Sequence, residues 1–195
     1  MSDWGAFLLA VLGLLATPGP TNTLMAASGA QRGFVRSLPL LLGELGGYAI
    51  AITVWTELVG AVAASQPLVP LIARLVAAAF LIWSAFKLWA GAGRTDLPQR
   101  GITLGRVFLT TLLNPKALVF AWAIFPPLGF FERLPYFGLF AALVVATAMG
   151  WMLLGTAAAR STGRLLTSGR IERITAAVLT VFAVLLIGQS LGIRL

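Results

Sequence analysis

The chain has 195 residues, 59% of them hydrophobic and only 10% charged, with 14 Lys and Arg against 6 Asp and Glu. That is too apolar for an ordinary soluble domain, and several runs of about twenty apolar residues predict a polytopic membrane protein. Cys and His are absent, which excludes disulfides and thiolate metal sites and removes the commonest general base, proton relay and metal ligand.

The N-terminal run reads as a first span rather than a cleaved leader. Asp3 stands where a basic start is expected, and no small-x-small site follows residues 5–16. Span one covers about 4–28. It is interrupted by Thr17-Pro18-Gly19-Pro20-Thr21-Asn22-Thr23. Each proline removes a backbone N–H, so helical pairing fails at Pro18 and Pro20 and the carbonyls of Leu14 and Ala16 lose their partners. Thr17 and Gly19, each before a proline, are biased away from helical angles. In hydrocarbon such a break survives only inside protein or beside a water-filled cavity.

Residues 29–37 are expected to form a short loop carrying Arg32 and Arg36, and span two follows at about 38–56 with Pro39 in its first turn. Gly43, Gly47 and Ala51 make a small-residue stripe that would admit a close helix. Glu44 is the only acid well inside a span, and an intramembrane carboxyl is by default a functional candidate. It could couple protons to transport or meet a substrate ammonium; the structural alternative is an ion pair with Lys116 or Arg74. Trp55 and Glu57 are expected to end the span at an interface.

Span three covers about 68–89 and contains Arg74, which is expected to snorkel outward, with Lys87 and Trp89 at its far end. A polar linker at 91–105 divides the chain into half-repeats of about 1–92 and 103–195. Span four, 107–125, carries a second break at Asn114-Pro115-Lys116. Glu132 and Arg133 are placed in a turn before span five, about 135–159, whose Ala142, Ala146 and Gly150 form another small-residue stripe. Span six is about 174–191. Trp83, Trp122 and Trp151 read as packing residues, although one of them could line the path, and Trp4, Trp55, Trp89 and Tyr136 as an interfacial belt.

The loops after spans one, three and five hold Arg32, Arg36, Lys87, Arg94, Arg100, Arg106, Arg160, Arg164, Arg170 and Arg173, whereas the other side holds Arg133 and Arg194. Ten against two places the first group in the cytoplasm and both termini outside. Lying in short loops, these charges orient a membrane protein rather than bind nucleic acid. Three spans per half make the halves inverted repeats, the plan of alternating access, with two interrupted spans in matching positions marking the binding site. Freed carbonyls at a break attract an ammonium, and half-helix N-termini attract a carboxylate. Thr21, Asn22, Thr23 and Asn114 add polar side chains that could contact substrate or simply cap the helices. Lys116 could meet a substrate carboxylate or snorkel to an interface.

Pro18-Gly19-Pro20, the basic loop with Arg32-Gly33, the glycine-rich second span and Leu113-Asn114-Pro115-Lys116-Ala117 together resemble the LysE/RhtB family of amino-acid exporters. The resemblance covers nearly the whole chain and is most specific at the two breaks. It implies proton-driven efflux of amino acids or their analogues across a bacterial inner membrane, with Pro18, Gly19, Pro20, Asn114, Pro115 and Lys116 at the motif positions. The chain departs from many members by placing Thr21 between Pro20 and Asn22, a rotation of about 100° for Asn22 on a helix.

The expectation is therefore an all-α integral membrane protein of six transmembrane helices, with helices one and four broken. It binds an amino acid at Pro18, Gly19, Pro20, Asn22, Thr23, Asn114, Pro115 and Lys116, and couples to protons at Glu44. Its partners are the lipid bilayer, protons and the small-molecule substrate, without metal, cofactor or nucleic acid; a homodimer stays open. Neutral amino acids are the expected substrates, since a basic one would want a second acid near Glu44. A membrane enzyme on a lipid-linked substrate would need clustered acids, histidines or a metal site. A metal exporter would lack its preferred Cys and His ligands. A passive channel is separated from an exporter by uphill transport.

Overall fold

The structure is a computed structural model. It describes residues 4–63, 66, 68–90 and 101–160, with isolated helical positions between 173 and 188. Everything regular among the described residues is helical, and no strand occurs among them. Much of the expected sixth span and of the linker at 91–105 lies outside the described residues.

Helix α1, Trp4–Ala16, is 13 residues long, about 20 Å, and falls short of a hydrocarbon layer of about 30 Å. After Thr17, Pro18 and the extended Gly19, helix α2 runs Pro20–Arg32 with proline in its first turn. The two axes differ by 61°. Helix α2 stops at Gly33, whose φ of 82° suits glycine, and the short helix α3, Phe34–Ser37, leads into α4, Leu40–Ala63. Helix α5 is Val69–Ala90.

Helix α6, Leu104–Leu112, is capped by the Thr103 hydroxyl, which accepts from Arg106 N–H at 3.1 Å. The second break follows at 113–115. The chain then resumes as α7, Lys116–Val119, continuous with a π-helical turn, Phe120–Ile124, and is bent by 51° from α6. Helix α8, Phe130–Arg160, is 31 residues long. By length and composition, two helical stretches among the described residues can cross a membrane, Phe34–Val62 and Phe130–Arg160, and the two bent pairs can supply two more.

Three expected boundaries are corrected. Residues 29–37 are not a loop: helix continues to Arg32, and a single positive-φ glycine redirects the chain. Span two does not end at Thr56, because α4 carries Glu57 onward to Ala63. Glu132 and Arg133 lie not in a turn but in the first turns of α8, which includes Pro135. Arg133 is buried there and bonded to Glu57, an ion pair that links α4 to α8.

The apolar core divides into two. One cluster gathers Phe7, Val11, Tyr48, Phe120, Phe125, Tyr136 and Phe140, with Ala176, Leu179 and Ala183 joining it. The other gathers Leu24, Met25, Ala27, Val107, Ala148 and Met152. Thr17, Thr21, Asn22, Glu44, Thr111, Asn114 and Lys116, all buried, belong to neither; most of them cluster where the helices are broken.

The Gly43–Gly47 stripe works as expected: a Cβ on Gly43 would sit 2.7 Å from the Leu104 carbonyl oxygen, and one on Gly47 2.8 Å from that of Phe108. Helix α6 thus lies backbone-close against α4. The Ala142–Ala146–Gly150 stripe behaves otherwise. Both alanines are exposed, and nothing approaches within 4 Å of a Cβ on Gly150.

Candidate functional site

The two breaks meet. Lys116 Nζ, from the second, donates to the Thr17 carbonyl of the first at 2.6 Å. Asn114 Nδ2 donates to Thr21 Oγ1 at 3.2 Å, and Thr21 Oγ1 lies 3.2 Å from Thr111 Oγ1. Thr111 gives its hydroxyl proton to the Val107 carbonyl at 2.8 Å. A hydroxyl has one proton to give, so the chain runs one way: Asn114 to Thr21, Thr21 to Thr111, Thr111 to α6.

Each broken end is closed from within the protein. Thr17 Oγ1 donates to the Leu14 carbonyl at 2.7 Å. Asn22 Nδ2 donates to the carbonyls of Leu15 at 2.6 Å and Thr17 at 2.8 Å. At the second break Asn114 Oδ1 accepts from Lys116 N–H at 3.0 Å. The proline-rich sequence removes helical donors, and these side chains replace them. The Leu14 carbonyl expected to be free is satisfied by Thr17.

A cavity of about 320 Å³ lies against both breaks, at the small end of the range for ligand sites. Pro18, Gly19, Pro20, Asn114, Pro115 and Lys116 all line it, together with Leu14, Leu179 and the α5 face formed by Phe80, Leu81, Trp83, Ser84 and Lys87. Its wall is mainly apolar, with few polar groups. Asn22 and Thr23 stand off this wall. Asn22 caps α1, and Thr23 N–H donates to the Gly19 carbonyl at 2.8 Å in the first turn of α2. Thr21, which follows Pro20 directly, holds the contact to Asn114 instead.

Lys116 is only 7% exposed and threads past Gly19, where a Cβ would sit 3.2 Å from both its Cε and Nζ. Glu44, on α4 and 1% exposed, does not line the cavity, although its charge and that of Lys116 influence each other. No ion pair forms between them, and Glu44 Oε2 has no hydrogen-bond partner. The salt bridge to Lys116 considered from sequence is therefore absent. The side chain of Arg74, the other expected partner, lies outside the described residues. Lys116 does not snorkel, because its ammonium is drawn inward to the Thr17 carbonyl.

Sequence reasoning missed the α5 wall. Lys87 had the look of an end-of-span charge, yet it lines the cavity with its ammonium 4.6 Å from the centre of the Trp83 ring. The spacing of Trp83, Ser84 and Lys87, one helical turn, was the available signal. Trp122 packs and also donates to the Trp55 carbonyl at 3.3 Å, and Trp4 stacks on Tyr136 with ring centres 4.2 Å apart. Among the described residues no three His, Cys, Asp or Glu side chains gather where they could hold a metal.

Comparison with known proteins gives the context for this geometry. The family described as LysE type translocator matches residues 12–190. A homoserine/homoserine lactone efflux protein of Salmonella typhimurium is 32% identical over 132 residues, 63% of each chain. An uncharacterized membrane protein of Vibrio cholerae is 28% identical over 130 residues, again 63% of each. A cysteine/O-acetylserine efflux protein of Salmonella choleraesuis is 24% identical over 125 residues, 55% of this chain and 64% of that one. The matches thus span a little under two thirds of these relatives. No solved structure matches. With the family's pattern covering all but the two ends of the sequence, the chain belongs to the LysE type translocators, a family of membrane transport proteins.

Proposed function

We propose that the protein exports amino acids or close analogues from the bacterial cytoplasm, coupled to protons, through six membrane helices arranged as two inverted three-helix halves. The observation that carries this reading is the pairing of the breaks across the cavity, Lys116 with the Thr17 carbonyl and Asn114 with Thr21. A zwitterion can exchange into that pair: its carboxylate takes the Lys116 ammonium, and its own ammonium takes the Thr17 carbonyl that Lys116 gives up. Both protein groups stay satisfied, which a buried site requires. Asn114, at the cavity wall, adds its amide. The efflux names of the relatives, covering homoserine, its lactone, cysteine and O-acetylserine, support a small amino-acid-like substrate.

Both termini then face outward, following the ten-to-two distribution of basic residues. In that orientation the cavity wall formed by α5 leads to the cytoplasmic linker, where an exported substrate is collected. The aromatic cluster of Phe7, Phe125, Tyr136 and Phe140 closes the outer side. Glu44 carries the proton: a buried carboxyl with an unpartnered oxygen beside Lys116 can change the charge behind the site as it gains or loses one.

The test is flux in proteoliposomes across the twenty amino acids. Wild-type protein is expected to show counterflow of at least one amino acid and uphill movement in a pH gradient. Lys116→Gln should raise the KM at least tenfold, as loss of a charge-assisted contact of about 1.5–3 kcal/mol requires. Glu44→Gln should retain counterflow and lose pH-driven accumulation. Full pH-driven transport by this variant refutes the coupling role, and a lower Tm with unchanged pH dependence marks Glu44 as structural. Downhill flux alone would make the protein a channel.

A further inference from the structure

The cavity wall carries two ammonium groups, and the reading above uses one. Lys116 stands at the breaks; Lys87 stands on α5, three residues beyond Ser84 on the same helical face, and both Ser84 and Lys87 line the same cavity. No carboxylate lines the cavity among the described residues, and none of them is in ion-pair range of Lys87. The intervening wall, Phe80, Leu81 and Leu179, is apolar.

Lys87 is exposed and lies against the exposed Trp83 of the same helix. Its ammonium lies over the Trp83 ring at 4.6 Å, a geometry that restrains a flexible lysine without neutralising it. A substrate whose carboxylate and ammonium occupy Lys116 and Thr17 must direct its side chain along this wall. An apolar side chain would leave Ser84 and Lys87 unused. A basic side chain would approach a like charge.

We propose that Lys87 binds the side-chain carboxylate of the substrate, so that the site favours dicarboxylic amino acids over their amides and over basic amino acids. This rests on the preceding reading, in which the α-carboxylate and amino group are taken at the breaks. Ser84 donates its hydroxyl to the same side-chain oxygens, and Trp83 fixes the direction of the Lys87 ammonium.

The experiment is equilibrium binding to the full chain in detergent, with glutamate, glutamine and lysine as probes, repeated in proteoliposomes as transport. Glutamate and glutamine have the same shape and differ at the group that Lys87 reads. Glutamate is expected to bind about fivefold tighter than glutamine, the scale of a partly exposed ion pair, and lysine weakest. Lys87→Gln should bring the glutamate-to-glutamine ratio to about one, and Lys87→Arg should preserve it.

A ratio near one in the wild type, a ratio unchanged in Lys87→Gln, or lysine binding tighter than glutamate overturns the proposal. In those cases Lys87 merely lies on Trp83 at the end of its span. Neutral amino-acid transport with no charge preference would remove this inference and leave the exporter standing. A Lys87-dependent preference in binding without any transport would do the reverse, and absence of binding by all three probes removes this inference while leaving the exporter to the test across the twenty amino acids.

Discussion

Lys116 bridges the two helix breaks and also lines the cavity between them. Its stem passes Gly19, and its ammonium ends on the Thr17 carbonyl, inside the break between α1 and α2. Gly19 is extended, with φ at −170°, so glycine serves here to leave room rather than to permit an unusual dihedral. Gly19→Ala is expected to fold, because the crowded atoms are the far end of a flexible lysine. It should displace Nζ from Thr17 and raise the KM for transport several-fold while changing Tm by no more than a few degrees. An unchanged KM would show that Lys116 is not held where the substrate binds. Asn22 carries the opposite lesson. Its two bonds to the end of α1 make it a cap, and Asn22→Ala should cost about 1–3 kcal/mol for the Leu15 carbonyl left unsatisfied, the Thr17 carbonyl keeping Lys116, read as lower thermal stability in detergent.

Between elements, packing is decided by where backbones come closest. Helices α2 and α8 touch at Gly29 and Gly155: a Cβ on Gly29 would lie 2.8 Å from the Met152 carbonyl carbon, and one on Gly155 2.7 Å from that of Ala26. Thr156 Oγ1 donates to the Gly29 carbonyl at 3.0 Å across the same contact. This is close helix association through small residues, as membrane interiors favour. Gly155→Ala should lower stability by about 1–3 kcal/mol through overpacking against a rigid backbone. Gly150→Ala, on the same helix with open space around it, should leave Tm unchanged or raise it, since alanine is the better helix former by about 1 kcal/mol. Equal losses in both variants would contradict the α2–α8 contact.

At the scale of the whole molecule, two apolar clusters flank the broken helices and their buried polar groups. The first cluster is rich in aromatic rings set edge to face: Phe7 lies 5.4 Å from Phe125, and Phe120 4.9 Å from Phe140. The ion pair of Arg133 and Glu57 joins α4 to α8 near the same end, and the π-helical turn at Phe120–Ile124 connects the break to the rings. Turns of this kind recur at functional sites. In the proposed cycle these rings must separate to release substrate outward. Because the natural chain has no cysteine, Trp4→Cys with Tyr136→Cys gives a two-thiol protein whose stacked positions can be bridged by a short bifunctional reagent. Bridging is expected to abolish counterflow while leaving substrate binding in detergent within about twofold. Counterflow that persists after complete bridging would rule out movement at this end.

Membrane character, all-helical class and both interruptions were legible from the sequence, because each depends on local chemistry: apolar runs, prolines without N–H groups, and glycines spaced for close approach. That Pro18–Pro20 and Asn114–Lys116 would line a common cavity was legible for the same reason. Which side chains would repair the broken ends was not, since Asn22, Thr21 and Lys116 find partners 5 to 99 residues away. Nor could periodicity alone show that α5 brings Lys87 to the same cavity, or that Gly155 rather than Gly150 meets another helix. Those outcomes depend on how separate segments orient around one another, and only the tertiary structure decided them.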